Sequence, residues 1–361
     1  MTSLPSYFPT DFAATLDTPA AVVALDIAER NIARLQDACT KAGVGNRPHI
    51  KTHKSPEIMG LQLEAGAIGV TCQKLGEAEV MAGAGADDIL ISYNVVGAAK
   101  HPRLRALADR IELTVCCDNR TVADGYAKAM AGASHPLSVL VECDTGRHRC
   151  GVTTPEAAVE LARHVAAQPG LRFAGLLLYP PDGDLQSSLE FVAGVREGCG
   201  RHSLELDTVC SGGTPNWRRI GALGESEYRA GTYVYNDRQM VRVGAATLAE
   251  CALLVYATVV SHPEAGRVML DAGSKTLTSD LMGFDDHGQL IDYPEARLYK
   301  LAEEHGFVDV SHCARIPAVG EVVRILPNHA CPVSNLFDCL LCTRAGVAAG
   351  HISVAARGQV T

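Results

Sequence analysis

Hydrophobic positions along the first two thirds of this chain follow two alternating patterns. Short β-branched runs, typical of buried strands, alternate with longer segments whose apolar residues lie three and four positions apart, as in helices. The first helix is predicted from Ile27 to about Ala42. Eight predicted strands follow: Arg47–Lys51, Ala67–Cys72, Asp88–Tyr93, Ile111–Cys116, Leu137–Cys143, Arg172–Tyr179, Asp207–Cys210 and Glu227–Tyr233.

Strands that alternate with helices indicate parallel pairing through right-handed crossovers. Eight such units within about 200 residues predict an α/β fold, a (β/α)8 TIM barrel. An open doubly wound sheet is the alternative. It is disfavoured because Gly83-Ala84-Gly85 lacks the third glycine and the preceding strand of a dinucleotide-binding motif.

Beyond about Asn236 the strand-like runs follow one another without helices, which predicts a second, mostly β domain at the C-terminal end. We expect the early run Ala21–Asp26 to add a strand to that domain. The predicted division is therefore a barrel over residues 27–240 and a β domain of residues 1–26 plus 241–361. The later runs are Ala252–Ser261, Arg267–Leu270, Val322–Leu326, Leu336–Thr343 and Ile352–Ala355.

Composition and charge restrict the possible partners. The chain is 47% apolar and 20% charged, as soluble globular proteins are. Its formal charge of −9 would repel nucleic acid and anionic lipid, and no apolar run reaches the roughly 18 residues that span a bilayer. With no secretory pattern at the N-terminus, we expect a cytoplasmic protein without a nucleic-acid or membrane partner.

The thirteen cysteines do not form the framework of a small disulfide-rich domain. We expect most of them to be reduced, buried and apolar in character. Cys339-Leu-Leu-Cys342 has the spacing of a redox pair, but its apolar surroundings favour a core strand.

A phosphate site is predicted after the seventh and eighth strands, where barrels often bind phosphate groups. Ser211-Gly212-Gly213-Thr214 follows the seventh strand, and Gly231-Thr232-Tyr233 lies in the eighth. Their glycines let an anion approach backbone N–H groups, and their hydroxyls are further donors. Two ordinary turns are the alternative interpretation.

Lys51 ends the first predicted strand, within His49-Ile50-Lys51-Thr52-His53-Lys54. That position points a side chain into the barrel mouth, where desolvation favours a neutral, nucleophilic amine. An amine facing a phosphate site fits a phosphorylated aldehyde held as a Schiff base, namely pyridoxal 5'-phosphate. A solvated surface lysine is the alternative, and Lys54, beyond the strand, is a weaker candidate.

Several motifs together resemble the D-threonine aldolase/D-serine dehydratase family, the metal-dependent relatives of alanine racemase. The resemblance covers nearly the whole chain and implies the fold-type III pyridoxal phosphate architecture, a homodimer and a D-amino acid substrate. The motifs are Arg47-Pro48-His49-Ile50-Lys51-Thr52-His53-Lys54, Gln73-Lys74-Leu75-Gly76-Glu77-Ala78, Asp144-Thr145-Gly146-Arg147-His148-Arg149-Cys150-Gly151-Val152, Asp271-Ala272-Gly273-Ser274-Lys275, Glu304-His305-Gly306 and Pro327-Asn328-His329-Ala330-Cys331-Pro332.

The resemblance also implies roles for single residues. Lys51 would carry the Schiff base, and Arg149 would lie beside the ring oxygen of the cofactor, with Arg147 as a structural alternative. Tyr179 would pack against the cofactor or hydrogen-bond to it. His49 and His53 flank the lysine and would tune it or hold the ring.

His329 and Cys331 form the candidate metal site. They are two residues apart in a strand-like stretch, so their side chains are expected on one face. Imidazole with thiolate suits Zn2+, with Mn2+ or Mg2+ as alternatives, and two ligands are too few for a structural zinc. A chance His-x-Cys is the alternative from the residues alone, whereas the resemblance implies a metal that binds the substrate's β-hydroxyl.

For His305 and His312 a solvated or structural role is expected.

Elimination is the reaction we expect, because cysteine at position 331 resembles the dehydratase branch. Lys51 would take the Cα proton, the metal would activate the β-hydroxyl, and a keto acid and ammonia would form. Aldol cleavage to glycine and an aldehyde is the alternative. Relatives commonly carry a histidine after the residue matching Tyr179, but none occurs here between His164 and His202, although Asp182 or Asp184 could substitute.

Two other classes remain open. An amino-acid racemase would share the barrel and Lys51 but would have no use for His329 and Cys331. A non-catalytic pyridoxal phosphate carrier would lack the predicted β domain.

Overall fold

The computed structural model describes residues 7–9, 16–183 and 185–361. The helices are α1 (Leu25–Ala42), α2 (Pro56–Glu64), α3 (Leu75–Gly83), α4 (His101–Ala108), α5 (Arg120–Ala129), α6 (Pro155–Ala167), α7 (Gln186–Arg201), α8 (Arg238–Arg242), α9 (Ser274–Leu277) and α10 (Ala330–Ser334). Over these ranges, no helix combines the length and the apolar character needed to cross a membrane.

The strands belong to two sheets. The first nine are β1 (Ala20–Ala24), β2 (Gly45–Asn46), β3 (Val70–Cys72), β4 (Asp88–Ile91), β5 (Glu112–Cys117), β6 (Leu137–Cys143), β7 (Leu171–Leu178), β8 (Thr208–Ser211) and β9 (Glu227–Tyr228). The others are β10 (Leu253–Glu264), β11 (Arg267–Leu270), β12 (Gly288–Leu290), β13 (Arg297–Leu301), β14 (Gly306–Asp309), β15 (Val322–Pro327), β16 (Cys339–Arg344) and β17 (Val347–Ser353).

Eight parallel strands form the first sheet, in the order β2-β9-β8-β7-β6-β5-β4-β3. A parallel bridge between His49 and Thr71 joins the chain after β2 to β3, and the Thr71 N–H donates to the Pro48 carbonyl across 2.8 Å. The sheet therefore closes, which confirms the predicted barrel. Its interior is filled by the buried side chains Leu90, Cys116, Leu140, Ala174, Leu177 and Cys210.

The first barrel strand ends earlier than predicted. Residues 47–51 are not a regular strand, because Lys51 lies in the 3-10 turn Ile50–Thr52. Pro48 has no N–H to donate to a neighbouring strand, so the ladder is interrupted before the lysine. The turn places Lys51 just beyond the carboxyl end of the strand.

The eighth strand also ends earlier than predicted, at Tyr228. Thr232 and Tyr233, expected within that strand, lie in the 3-10 turn Thr232–Val234. The turn forms because the N–H groups of Tyr235 and Asn236 donate back to the Thr232 carbonyl across 3.1 and 2.6 Å.

The second sheet is mostly antiparallel and follows the order β13-β14-β11-β10-β1-β16-β17, with β15 pairing with β10 and β12. Strand β1 pairs antiparallel with β10 and parallel with β16, which confirms that the early run Ala21–Asp26 serves the β domain. Cys339 and Cys342 lie in β16, as predicted. Nine of the thirteen cysteines are buried and all are free thiols.

The chain divides into two compact units. The β unit contains the described residues of Met1–Ala33, Thr52–Glu57 and Thr232–Arg357, and the barrel unit contains Arg34–Lys51, Ile58–Gly231 and Gly358–Thr361. The boundaries of the units differ from those of the predicted domains. Residues 52–57 belong to the β unit although they lie inside the predicted barrel range.

Candidate active site

Lys51 is half-buried, and its turn is held by the buried His49. The Lys51 backbone N–H donates to His49 Nδ1 across 3.4 Å. His49 Nε2 lies 3.1 Å from Gln73 Oε1 and 3.2 Å from Ser92 Oγ. Because a backbone N–H can only donate, Nδ1 is the acceptor and Nε2 carries the proton in the neutral ring. His49 thereby connects the lysine turn to the ends of β3 and β4.

The turn after β8 depends on two consecutive glycines. Gly212 and Gly213 have φ values of +131° and +155°. A Cβ atom on Gly213 would lie 2.5 Å from Cε2 of Tyr179, and one on Gly212 would lie 2.7 Å from the backbone nitrogen of Arg229. Ser211 and Thr214 flank the pair and are buried. A close-packed glycine turn with a hydroxyl on each side fits an anion site.

Arg147 and Arg149 both lie by the ring of Tyr179, with guanidinium-to-centroid distances of 4.2 and 5.3 Å. Arg147 fastens the loop after β7, because its Nε donates to the Pro180 carbonyl across 2.9 Å and its guanidinium pairs with Asp182. Arg149 makes a looser pair with Glu142, at 3.9 Å. The arrangement favours Arg147 as the structural arginine and Arg149 as the cofactor contact, which stays a prediction.

Glu142 and Arg229 are buried charged residues of the barrel unit that the sequence analysis did not identify. Burial raises the pKa of Glu142, although the charges of Arg149 and Arg229 oppose the shift. The Arg229 guanidinium donates to the Leu178 carbonyl across 2.6 Å and to Cys210 Sγ across 3.2 Å. The sequence did contain a signal for Glu142, because it is a charged residue inside the apolar run of β6. Charged residues are seldom buried without a partner.

The barrel unit therefore holds a group of residues that fits pyridoxal phosphate. The group combines a half-buried amine, an aromatic ring with a cation beside it, and an anion-binding turn. Its members are Lys51, Arg149, Tyr179, Ser211, Gly212, Gly213, Thr214 and Gly231. Thr232 and Tyr233 belong to the β unit, where the Thr232 hydroxyl lies 3.6 Å from Cys331 Sγ.

The interpretation of His329 and Cys331 as residues of one strand is wrong. Strand β15 ends at Pro327, and Cys331 lies in the short helix α10. Pro332 suits the first turn of that helix, where a missing N–H costs nothing. Asp237 accepts a hydrogen bond from the Ala330 N–H across 3.0 Å, which fixes the residue between the two candidate ligands. The two side chains are nevertheless neighbours, because each of them shifts the pKa of the other.

The electrostatics of this pair favour a thiolate. Burial would raise the pKa of Cys331, but hydrogen bonds from His329 and Thr52 lower it overall. Burial would lower the pKa of His329, but its contacts with Cys331 and Asp280 raise it to about 9. The Thr52 hydroxyl lies 3.1 Å from Cys331 Sγ. Thiolate and imidazole in contact are a donor set that fits Zn2+ or a similar ion.

The ligand set is incomplete by itself. In the part of the chain that the structure describes, no group of three or more His, Cys, Asp and Glu side chains could hold a metal. A metal at His329 and Cys331 would therefore have positions left for water or substrate, as catalytic sites do.

The other candidates from the sequence are Lys54, His53, His305, His312 and Asp184. Lys54 is buried with a φ of +51°, and His53 Nδ1 accepts from the Ser55 N–H across 3.1 Å. His305 and His312 are exposed. Asp184 lies outside the described residues.

Comparison with known proteins identifies two family models in this chain. The N-terminal domain of alanine racemase matches residues 23–239, and a putative serine dehydratase domain matches residues 252–343. The second range contains both candidate metal ligands.

Individual relatives match nearly the full length. D-threonine aldolase from Arthrobacter sp. is 35% identical, over 97% of this chain and 95% of the relative. The crystal structure of D-threonine aldolase from Filomicrobium marinum has a TM-score of 0.86 at 34% identity, covering 96% of this chain and 98% of the other. D-threo-3-hydroxyaspartate dehydratase from Delftia sp. HT23 has a TM-score of 0.85 at 31% identity, covering 94% and 98%. A dehydratase of the same name has been solved as a cysteine-to-alanine mutant in the metal-free form.

The barrel match spans more than half of the chain, and the aldolase match exceeds 30% identity over almost all of it. The barrel match agrees with the closed parallel sheet of the structure. This chain belongs to the D-threonine aldolase/D-serine dehydratase family of fold-type III pyridoxal phosphate-dependent lyases.

Proposed function

We propose that this protein, a pyridoxal phosphate-dependent lyase of D-3-hydroxy amino acids, catalyses a metal-dependent β-elimination that yields a keto acid and ammonia. The neighbouring side chains of His329 and Cys331 carry this proposal, because a thiolate beside an imidazole is a strong site for Zn2+, and the Thr52 hydroxyl lies 3.1 Å from the sulfur. The metal-free cysteine mutant of a related dehydratase supports a metal at a cysteine in this family.

When bound, pyridoxal phosphate would supply an electron sink for the substrate Cα, and a metal would supply a Lewis acid for the β-hydroxyl. Lys51 would hold the cofactor at rest and then, as a free amine, remove the Cα proton. The electron pair left at Cα would form the Cα–Cβ double bond while hydroxide leaves from Cβ and is protonated to water. The released enamine would tautomerise to an imine, which water hydrolyses to the keto acid and ammonia. Arg149 and Tyr179 would orient the cofactor ring, and the glycine turn at 211–214 would hold its phosphate.

The segment after β7 favours elimination over aldol cleavage. Aldol cleavage needs a base that removes the β-hydroxyl proton, and no histidine occurs between His164 and His202. The carboxylate of Asp182 is already paired with Arg147. Elimination needs no such base, because the hydroxyl leaves as hydroxide.

Aldol cleavage is the second candidate, because D-threonine aldolase is 35% identical to this chain. Both reactions use the same cofactor and metal, so the products decide between them. The experiment incubates purified protein with D-serine, D-threonine and D-3-hydroxyaspartate, each with and without a chelator.

We expect ammonia and keto acid, and a loss of turnover with chelator that added Zn2+ restores. His329→Ala should lose this metal-dependent turnover, whereas His312→Ala, at an exposed histidine of the same unit, should keep it. Glycine plus aldehyde would establish the aldolase instead. Racemised substrate with no effect of chelator would overturn the lyase and metal assignments together.

A further inference from the structure

The loop between α9 and β12 brings a carboxylate against the candidate metal ligand His329. Asp280 Oδ2 lies 2.7 Å from His329 Nδ1. Its other oxygen, Oδ1, accepts a hydrogen bond from the Met282 N–H across 3.3 Å, and the Asp280 N–H donates to Thr278 Oγ1 across 3.3 Å. One carboxylate oxygen is therefore fixed to its own loop while the other holds the imidazole.

The same loop is tied to the residue that precedes His329. Asn328 donates from Nδ2 to the Asp286 carbonyl across 2.6 Å and to the Leu281 carbonyl across 3.4 Å. Arg238 donates to Asn328 Oδ1 across 3.1 Å and pairs with Asp286. These contacts hold the part of the loop that follows Asp280 against the segment that carries the two candidate ligands.

Backbone strain marks the loop as specially shaped. Thr278 has φ +64° and ψ 164°, a region almost confined to glycine, and Met282 has φ +50°. Non-glycine residues in such regions are strained and persist where the surrounding contacts fix them, often at functional sites. The strained residues lie two positions before and two positions after Asp280.

We propose that Asp280 is a positioning residue that fixes the tautomer and orientation of His329 for metal binding. An ionised carboxylate can only accept hydrogen bonds, so Nδ1 of His329 keeps its proton when a metal displaces the proton of Nε2, and Nε2 then presents its lone pair to the metal. Carboxylates behind a metal-bound histidine also increase its basicity, and their loss typically weakens metal binding about 10–100-fold. This inference rests on the metal site proposed above.

The test measures metal affinity, without turnover. Purified protein is stripped of metal, and the dissociation constants for Zn2+ and Co2+ are measured by competition with a chromogenic chelator. The variants are Asp280→Ala, Asp280→Asn and His329→Ala. The matched control is Asp285→Asn, which removes a carboxylate from the same loop at a side chain that is 85% exposed and paired with Arg297.

We expect Asp280→Ala to raise the Zn2+ dissociation constant about 10–100-fold and Asp280→Asn to raise it less, since an amide oxygen still accepts the Nδ1 proton. The Co2+ absorption spectrum should shift in both, because the orientation and basicity of the imidazole change. The melting temperature of the metal-free protein should not change, which separates positioning from folding. Asp285→Asn should match the wild type in all three measurements.

Two results would overturn the inference in distinguishable ways. If His329→Ala loses the metal but Asp280→Ala binds it as tightly as wild type, with an unaltered Co2+ spectrum, Asp280 has no positioning role and the metal site stands. If His329→Ala binds metal as tightly as wild type, the metal site itself is wrong, and the role of Asp280 falls with it.

Discussion

The hydroxyl of Thr52 lies 3.1 Å from the thiol of Cys331. Thr52 directly follows Lys51, so one peptide bond separates the proposed cofactor lysine from a residue that contacts the proposed metal ligand. A hydroxyl that donates to sulfur stabilises the thiolate and fixes the direction of its lone pairs. Both residues of the Lys51-Thr52 pair therefore have a proposed role. Lys51 would bind the cofactor, and Thr52 contacts the proposed metal ligand Cys331.

Replacing Thr52 with valine should weaken metal binding. The β-branched shape is kept, but the hydrogen bond to the sulfur is lost, and one such bond is worth roughly 0.5–1.5 kcal/mol, or about two- to thirteenfold in the dissociation constant. Thr52→Ser keeps the hydroxyl and is the control. Chelator competition measures the Zn2+ affinity of both variants. Equal affinities of the valine and serine variants would show that the contact between Thr52 and Cys331 does not contribute to metal binding.

The Gly213→Ala variant should lose both stability and cofactor. An added Cβ would lie 2.5 Å from the Tyr179 ring, and overpacking of this kind typically costs about 1–3 kcal/mol. We expect a lower unfolding midpoint in denaturant and a weaker pyridoxal phosphate affinity, measured by absorbance titration.

Gly224→Ala is the control for this substitution. Gly224 also has a positive φ, +63°, but nothing lies within 4 Å of a Cβ built there. It should lose some stability through backbone strain alone and keep the affinity for pyridoxal phosphate. If Gly213→Ala bound the cofactor as tightly as Gly224→Ala, the turn at 211–214 would not be the phosphate site.

Glu142 should give the cofactor-free protein a characteristic pH dependence. Burial raises its pKa above the ordinary value of 4.5. The folded state then binds more protons than the unfolded state over the interval between the two pKa values, so the stabilisation is complete below 4.5 and is lost as pH rises through the folded pKa.

The measurement is the free energy of unfolding of wild type and Glu142→Gln between pH 4 and 8, and the exposed Glu156→Gln is the control. The wild type should lose stability relative to Glu142→Gln as pH rises, and Glu156→Gln should run parallel to wild type. A constant difference between wild type and Glu142→Gln would mean that Glu142 titrates normally in the folded protein.

The barrel could be predicted from sequence because its signal is periodic and long. Strand β6 matches the predicted range Leu137–Cys143, and the early run at Ala21–Asp26 was assigned to the right sheet because it had no barrel partner. Strands β12, β13 and β14 were missed, since they are only three to five residues long and each contains polar residues.

Less of the candidate site than of the barrel could be predicted from the sequence. Lys51 and the His-x-Cys pair are local motifs, whereas Asp280 meets His329 across 49 positions of the chain and has no motif of its own. The prediction of a strand at His329 and Cys331 was also wrong. Asp237, which is far away in sequence, accepts a hydrogen bond from the Ala330 N–H, and the backbone turns into α10 there. Contacts of this kind are set by tertiary packing, which periodicity does not encode.

In the proposed function Lys51 binds pyridoxal phosphate covalently, and borohydride reduction followed by peptide mapping locates this bond. The holoenzyme is reduced, digested and analysed by mass spectrometry, with Lys54 as the internal comparison three residues away. We expect the pyridoxyl label on Lys51 and none on Lys54. A label on any other lysine, or no label in a preparation that has bound cofactor, would contradict it.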